Sequence, residues 1–534
     1  MSIKLPTCEQ QAVIDCPVNC VVTAKPGSGK TFTVVEKISK ILDKLPDYKG
    51  VIAISFTNKA SDELKSRCSK AGINLKSSFF GTIDKFCLSQ IINSFAPHLT
   101  GKFVDYEIID NSDGAEHNCH TSNVTYESFL DNHIHVSMIA EYAYYLLMHI
   151  NAIITYLKAR FTHIIIDEYQ DCSEIQHKIF ISLVQNGLIG IAVGDPEQAI
   201  FEFAGKSSKF IYSLIDNSTF YHFHLSKNHR CAKGIINYSE CLINGHSSVE
   251  LENFDNSVIC VNVNGDYSEI SRYIEQFIEP IKKKYNVLNN NQVAILCRFN
   301  NTINHLKQVL DIRFKTFEDT PLERDNSAHA QLFRSILRAY FSQEEFLADF
   351  VEEYYSKDYD PYYYKKMLFL CKTIFSTPID SLNNLINCFA EIANLIFSSC
   401  ASSKSINNLQ AVLNSPNLLK SYASANSDEI NIMSLHKSKG LEFNIVFLLD
   451  LYKYVFPREN LWGNFSSNDY NQELNLHYVG VTRAIDACYI LLGTKRFSGD
   501  GRVIQAVPSP FLSLSDLQHL RRNIRWSCNM ANNS

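Results

Sequence analysis

An apolar run over residues 20–24 opens into Ala24-Lys25-Pro26-Gly27-Ser28-Gly29-Lys30-Thr31, and a helical pattern starts at Gly29. That order of strand, glycine loop and helix constrains the fold more than any other feature of the chain. Glycines let backbone N–H groups turn inward on phosphate oxygens, and the helix that follows adds its positive N-terminal end. The run fits a phosphate-binding P-loop with Ala24 in the first glycine position. Lys30 is placed to reach β- and γ-phosphates, and Thr31 to hold Mg²⁺.

A second apolar strand, His163-Ile164-Ile165-Ile166, ends in two carboxylates, Asp167 and Glu168. An acid at a strand end suits Mg²⁺, often through water, so Asp167 is the candidate there. Glu168 then points toward the γ-phosphate, where it can orient and deprotonate an attacking water. An acidic pair after a strand is often only a polar loop; the P-loop upstream turns it into a candidate catalytic pair.

Short apolar strands alternate with helical patterns in two stretches, the signature of parallel sheets flanked by helices. Strands are expected at 20–24, 51–55, 162–166 and 189–193, then at 258–263, 293–297, 430–435, 445–449 and 487–492. Each series is interrupted by a mostly helical segment. The expected map is a first core at 1–87 and 161–215 carrying an insert at 88–160. A second core follows at 216–313 and 427–515, with an insert at 314–426 and a tail at 516–534. A length of 534 residues agrees with three or four domains.

The net charge of −6 argues against a protein that coats DNA through bulk positive charge, and leaves room for a local basic groove. Sixteen cysteines in so long a chain, with no apolar signal core after Met1, point to a reducing cytosol. No pair is spaced C-x-x-C. His117, Cys119 and His120 are too close together for finger-type zinc spacing and read as a polar loop. The apolar stretch 138–157 is broken by Glu141, His149 and Asn151, so it reads as a buried helix and not a membrane span. The tyrosines of 354–364, beside Lys365 and Lys366, could stack bases; helical packing is the expected reading. The basic His519-Leu520-Arg521-Arg522 is expected to be a solvated helix face.

With both phosphate-site elements in place, the chain resembles the superfamily 1 helicases of the UvrD/Rep/PcrA type. Thr7-Cys8-Glu9-Gln10 is similar to the adenine-reading Q motif, which implies that Gln10 contacts the base. Ser55-Phe56-Thr57-Asn58-Lys59-Ala60 and Gly81-Thr82-Ile83-Asp84 resemble motifs that grip a single strand. Asp167-Glu168-Tyr169-Gln170-Asp171 matches DExQD. Gly194-Asp195-Pro196-Glu197-Gln198-Ala199-Ile200-Phe201 resembles the next motif. There Gln198 would sense the γ-phosphate, and Phe201 and Phe203 would stack on bases unless they serve core packing. Leu225 to Arg230 looks like L-x-x-N-Y-R, which puts Arg230 on the γ-phosphate. Ser434 to Glu442 resembles motif V, with Glu442 facing nucleotide and His436 near DNA. Tyr478 to Ala484 is similar to motif VI, making Arg483 a second arginine finger.

The resemblance implies two RecA-like cores, each carrying a mostly helical insertion. It also implies ATP and Mg²⁺ as cofactors and a 3′→5′ translocase or helicase on single-stranded or tailed duplex DNA. Some positions depart from the pattern. Phe32 and His229 replace the arginine and tyrosine that sandwich adenine, and as planar groups both can still stack. Ala204 replaces an arginine, Asp84 a histidine, and Leu474 and Asn475 replace basic residues. An acid near a phosphodiester weakens the grip on DNA. The second insert is short, and no room is expected for an appended nuclease domain. The compact outline resembles the helicase subunit of Gabija-type antiphage systems, which works beside a separate nuclease. The alternative expectation is an ATPase that senses nucleic acid or nucleotide and regulates such a partner, with little unwinding of its own.

Overall fold

The structure is a computed structural model. It describes residues 5–527 except 57, 103–105, 110–123, 132, 202–204, 246–254, 318–319, 326, 343–346, 353, 356, 358–359, 398–402, 459–465 and 499–500. Side chains at 58, 59, 62, 107–109, 328, 349, 515 and 516 are likewise left undescribed. Thr57, Phe203, Ala204, His117, Cys119, His120 and the side chain of Asn58 therefore lie outside the described residues.

The chain divides into two compact units, the first made of Met1–Phe86, Ile154–Thr316 and Ala425–Ser534. It holds two all-parallel sheets. The strands of one are β1 Cys20–Ala24, β2 Gly50–Ile54, β3 Phe79–Gly81, β4 Phe161–Ile166, β5 Ile189–Gly194 and β6 Tyr221–Leu225, in the order β3-β2-β4-β5-β1-β6. Every residue of β1 and β2 is buried, the expected state of parallel strands covered by helices on both faces. Val34, Val35, Ile38 and Leu42 of the Lys30–Leu42 helix pack with Val22, Val51, Ile165 and Val193 in one cluster. Burying each such side chain contributes about 1.5–3 kcal/mol.

Register decides where the chemistry gathers. Ala24 lies opposite Leu225, Thr23 opposite Gly194, and Ile54 opposite both Ile166 and Gly81. The carboxyl ends of all six strands therefore form one edge. The segments that leave this edge carry the P-loop, Phe56, Thr82, Asp167–Glu168, Asp195–Gln198 and Asn228–Arg230, in the place where open α/β sheets bind ligands.

The second sheet contains β7 Val258–Val263, β8 Val293–Cys297, β9 Phe314–Thr316, β10 Ile430–Ser434, β11 Phe443–Leu448, β12 Ala484–Gly493 and β13 Arg522–Trp526, ordered β9-β10-β8-β11-β12-β7-β13. Three findings correct the expected map. Strand β6 pairs with β1, so residues 221–225 belong to the first sheet and Arg230 follows that sheet's edge strand. Strand β9 pairs with β10, so residues 314–316 complete the second sheet and lie outside the insert. The basic end of the chain is not a helix face: Arg522–Trp526 is an edge strand beside β7. One face of the strand runs from exposed Arg522 through half-buried Ile524 to buried Trp526, and Asn523 and Arg525 on the other face lie in solvent.

The second unit, Cys87–Ile153 and Phe317–Ser424, is mostly helical. Leu322, Phe333, Ile336, Met367, Ile374, Phe389, Leu409 and Val412 make up much of its core. The expected single helix over 138–157 is two, Ile139–His149 and Asn151–Arg160, because Ile150 takes an extended conformation with φ −125°. In the tyrosine run Tyr364 is buried, whereas Tyr362 and Tyr363 face solvent, against the expectation of helical packing for the whole run. Among the described residues no helix is long and apolar enough to cross a membrane.

Candidate functional site

The P-loop owes its shape to two glycines in the left-handed region, Gly27 at φ 73° and Gly29 at φ 84°. A β-carbon on Gly27 would meet Asn228 Oδ1 at 2.5 Å and Arg230 Cβ at 2.8 Å. The loop is thus closed against the Asn228–Arg230 segment, whose His229 N–H donates to the Gly27 carbonyl at 2.8 Å. Gln10 lies beneath it. Its side chain accepts from the Thr7 N–H at 3.0 Å in a capping box and donates to the Ser28 carbonyl at 2.9 Å. In this state Gln10 braces the loop, and its acceptor oxygen is already engaged. Ser28 Oγ and Arg230 Nε are buried with no hydrogen-bond partner among the described residues. Buried polar atoms are normally paired, so two unsatisfied donors in and beside a phosphate-binding loop fit an anion. Phe32 is half-buried on the first helical turn, and His229 is exposed.

Strand β4 delivers Asp167 and Glu168. Glu168 sits at φ 55°, a strained value for a residue with a side chain. Lys30 Nζ lies 2.9 Å from Glu168 Oε1, and the Gln170 amide donates to the other oxygen. Burial alone would lower the Lys30 pKa, but Glu168, Asp167 and Asp195 outweigh it and hold the ammonium above its ordinary range. The reverse holds for Glu168: burial would raise it, yet Lys30 and Lys439 keep the carboxylate well below its usual value. Asp167 goes the other way, raised by burial and by Glu168 against the pull of Lys30. One carboxylate is held ionised beside a cation while its neighbour is poised to be neutralised or to meet a metal, the separation expected where two acids have different work. Thr31, in the first turn after Lys30, and Asp167 are the oxygen donors suited to Mg²⁺.

The segments of the second sheet supply Lys439, Glu442, Asn475 and Arg483, and Arg230 meets them from the segment after β6. Arg483 precedes β12 and is almost fully buried, which lowers its pKa to about 10 and still leaves it charged at neutral pH. It donates to Val479 and Leu441 carbonyls, each at 3.0 Å, and to Gln198 Oε1 at 3.1 Å. Gln198 in turn donates to Asp195 Oδ2 at 2.7 Å. Arg230 pairs with Glu442 at 2.8 Å and with the Thr482 carbonyl at 2.9 Å. Lys439 reaches Asp171 at 2.6 Å and the Gln198 carbonyl at 2.7 Å. Asn475, which stands where a basic residue was expected, donates to the Ala199 carbonyl at 3.1 Å. The structure therefore brings Lys30, Glu168, Gln198, Arg230, Glu442 and Arg483 into one connected neighbourhood.

A strip of aromatics flanks this network. Phe56 and Phe201 stack with centroids 5.5 Å apart, Lys206 lies 5.4 Å over Phe56, and Lys439 lies 4.9 Å over Phe201. His436 meets Phe201 at 6.4 Å. Burial, then Arg298 and Lys439, press the His436 pKa down to about 4, so its ring is neutral at physiological pH. Thr82 is half-buried and accepts from the Lys85 N–H at 3.3 Å. Burial raises the Asp84 pKa, opposed by Lys206 and by a hydrogen bond with Gln176. Its carboxyl is thereby drawn into a polar cluster.

A family model for the UvrD/REP helicase N-terminal domain matches residues 6–136 and 125–219, and one for the UvrD-like helicase C-terminal domain matches 321–494. The chain belongs to the UvrD-like helicase family. This helicase is 27% identical to the Gabija protein GajB of Bacillus cereus over 90% of its own length and 94% of that protein's. It is 22% identical to the ATP-dependent DNA helicase PcrA of Staphylococcus aureus, covering 92% of this chain and 83% of PcrA. A probable DNA helicase II homolog of Mycoplasma capricolum is 25% identical over 54% of this chain and 47% of its own.

Two residues of the helicase site are missing from the sequence reading. Lys439 stands inside the quoted Ser434–Glu442 run, but a lysine there carries no signal of its buried partner Asp171. Gln170 joins Glu168 to Asp195, whose N–H it accepts at 2.9 Å, and only the juxtaposition of β4 with β5 makes that visible.

Proposed function

We propose that this helicase is a 3′→5′ translocase on single-stranded DNA, driven by ATP hydrolysis between its two sheets. The observation that carries the reading is Arg483 on Gln198. A buried cation from the second sheet meets the segment of the first that also holds Asp195, which Gln170 links in two hydrogen bonds to Glu168 and so to Lys30. Mg²⁺, when bound through Thr31 and Asp167, would polarise the phosphate oxygens. Lys30 would leave Glu168 for the β- and γ-phosphates, and the freed carboxylate would orient water and accept its proton. Arg230 and Arg483 would neutralise γ-phosphate charge, Arg483 would draw the second sheet toward the first, and hydrolysis would remove that bridge. Phe56, Thr82, Phe201 and His436, with Thr57, Asn58 and Phe203, are the proposed strand contacts. Phe32 and His229 would flank the base, with Ala24 and Gln10 shaping the pocket.

The test is DNA-stimulated ATPase activity. It should vanish in Lys30→Ala and in Glu168→Gln; unchanged rates in both would overturn the reading. Similarity to GajB along nearly the whole chain favours a second reading, in which the protein serves antiviral defence beside a separate nuclease and unwinds little alone. Strand displacement on 3′-tailed duplex, with and without that partner, decides between them: robust unwinding by the lone protein removes the second reading.

A further inference from the structure

We propose that the outer face of the Pro361–Ser376 helix in the second unit is a contact for single-stranded nucleic acid. Tyr362 and Phe369 would stack on bases, and Lys365, Lys366 and Lys372 would pair with phosphates. The helix already satisfies its packing on the opposite side, where Tyr364, Met367, Leu370, Cys371 and Ile374 are buried. Its outer positions 362, 365, 366, 369 and 372 recur at helical spacing on one face and are all exposed. Tyr362 and Phe369 are each 69% exposed. Single exposed apolar groups need no explanation, but large rings repeated along one face mark an interaction site.

Tyr363 widens this ledge. It stacks on Tyr355 with centroids 5.3 Å apart and meets the edge of Tyr362 at 5.3 Å. The rings of Tyr362 and Phe369 stand two turns apart, about 10 Å along the axis, with lysines between them. Among the described residues no carboxylate pairs with any of those lysines. Aromatic platforms interleaved with free ammonium groups are how single strands are held without sequence preference. An acidic protein is the poorer fit, because the centres of protein interfaces are depleted in lysine.

The proposal rests on the reading of the chain as a DNA motor, and the experiment separates the two. Full-length protein is titrated into a fluorescent oligo-dT at several salt concentrations. The wild type is compared with the Tyr362→Ala/Phe369→Ala double variant and the Lys365→Gln/Lys366→Gln/Lys372→Gln triple variant. Loss of two stacking rings should weaken binding roughly tenfold or more. Loss of three phosphate contacts should flatten the slope of log affinity against log salt by about 2. Maximal ATPase turnover at saturating DNA should be unchanged in both, while the DNA concentration giving half-stimulation rises. Either variant binding DNA like the wild type overturns the proposal. So does retained DNA binding with lost binding to poly-glutamate, which would assign the face to an acidic protein. If wild-type ATPase ignores DNA although both variants weaken DNA binding, the motor reading fails and the contact stands.

Discussion

Lys439 Nζ sits 2.6 Å from the Asp171 carboxylate, joining the loop after β10 of the second sheet to the acidic run after β4 of the first. Asp171 is 1% exposed, and its other oxygen has no hydrogen-bond partner among the described residues. An ionised carboxylate so placed depends on that one ammonium for compensation. The same nitrogen also holds the Gln198 carbonyl, so one side chain ties both acid-bearing loops to the second sheet.

Removing Lys439 alone should therefore be costly. Lys439→Ala leaves a buried charge uncompensated, a loss of about 3–5 kcal/mol. The double variant Lys439→Met/Asp171→Leu should recover most of it, since both charges then disappear together. Urea unfolding of the two variants and the wild type checks this through the transition assigned to the two-sheet unit. A double variant as unstable as the single one would contradict it.

The pair also predicts a pH dependence. Burial pushes the Asp171 pKa up to about 6, with Lys439 pulling against it. A raised folded-state value means that protonation favours the folded form. That contribution is complete below the ordinary carboxylate range and is lost as pH rises through about 6. Activity should move the opposite way, because a neutral Asp171 no longer holds Lys439. Turnover in the wild type should fall as pH drops through about 6, whereas Asp171→Asn should be slow at every pH and lack that inflection. Profiles of kcat against pH for the two proteins provide the measurement.

Gly27 and Gly29 should differ in tolerance even though both have positive φ. A β-carbon at Gly29 meets only the far end of Gln10, at 2.6 Å, and that side chain can yield at the cost of its bond to the Ser28 carbonyl. At Gly27 it strikes Asn228 and the Arg230 Cβ, which are fixed by the chain that follows β6. Both substitutions incur about 1–2 kcal/mol of left-handed strain. Gly27→Ala should also displace Arg230 and reduce ATP turnover at least tenfold more than Gly29→Ala. Nucleotide affinity and kcat measured on each variant decide the point.

Legibility in the sequence followed burial. Strands β1, β7 and β8 are buried runs that are apolar except for Thr23 and Asn262, and their limits can be read residue by residue. Strands β6 and β13 are edges: Tyr-His-Phe-His-Leu and Arg-Asn-Ile-Arg-Trp are mostly exposed, so they carry little apolar signal. Strands β3 and β9 are three residues long, too short for any periodicity. The same physics applies to the site. Lys30, Asp167 and Glu168 stand in local patterns that phosphate chemistry dictates. Lys439 and Gln170 acquire their partners only when β4, β5 and the crossover after β10 are folded together, and spacing along the chain does not encode that meeting.

Arg483 offers the sharpest separation between charge and geometry. Its guanidinium spreads four contacts over its three nitrogens: Nε to Val479, Nη1 to Leu441, and Nη2 to Gln198 and to the Thr482 hydroxyl. Lysine keeps the charge but concentrates its donors on one nitrogen, so Arg483→Lys cannot hold those acceptors together. If Arg483 acts as an arginine finger, the variant should lose about 10³-fold or more in kcat. Its nucleotide affinity should change little, because Lys30 and the glycine loop remain. Gln198→Ala leaves three of the four contacts in place and should cost less than Arg483→Lys. Single-turnover ATPase measurements with a separate titration of a fluorescent nucleotide distinguish the two effects. Equal losses in affinity and kcat for Arg483→Lys would make the arginine a structural brace and not a participant in hydrolysis.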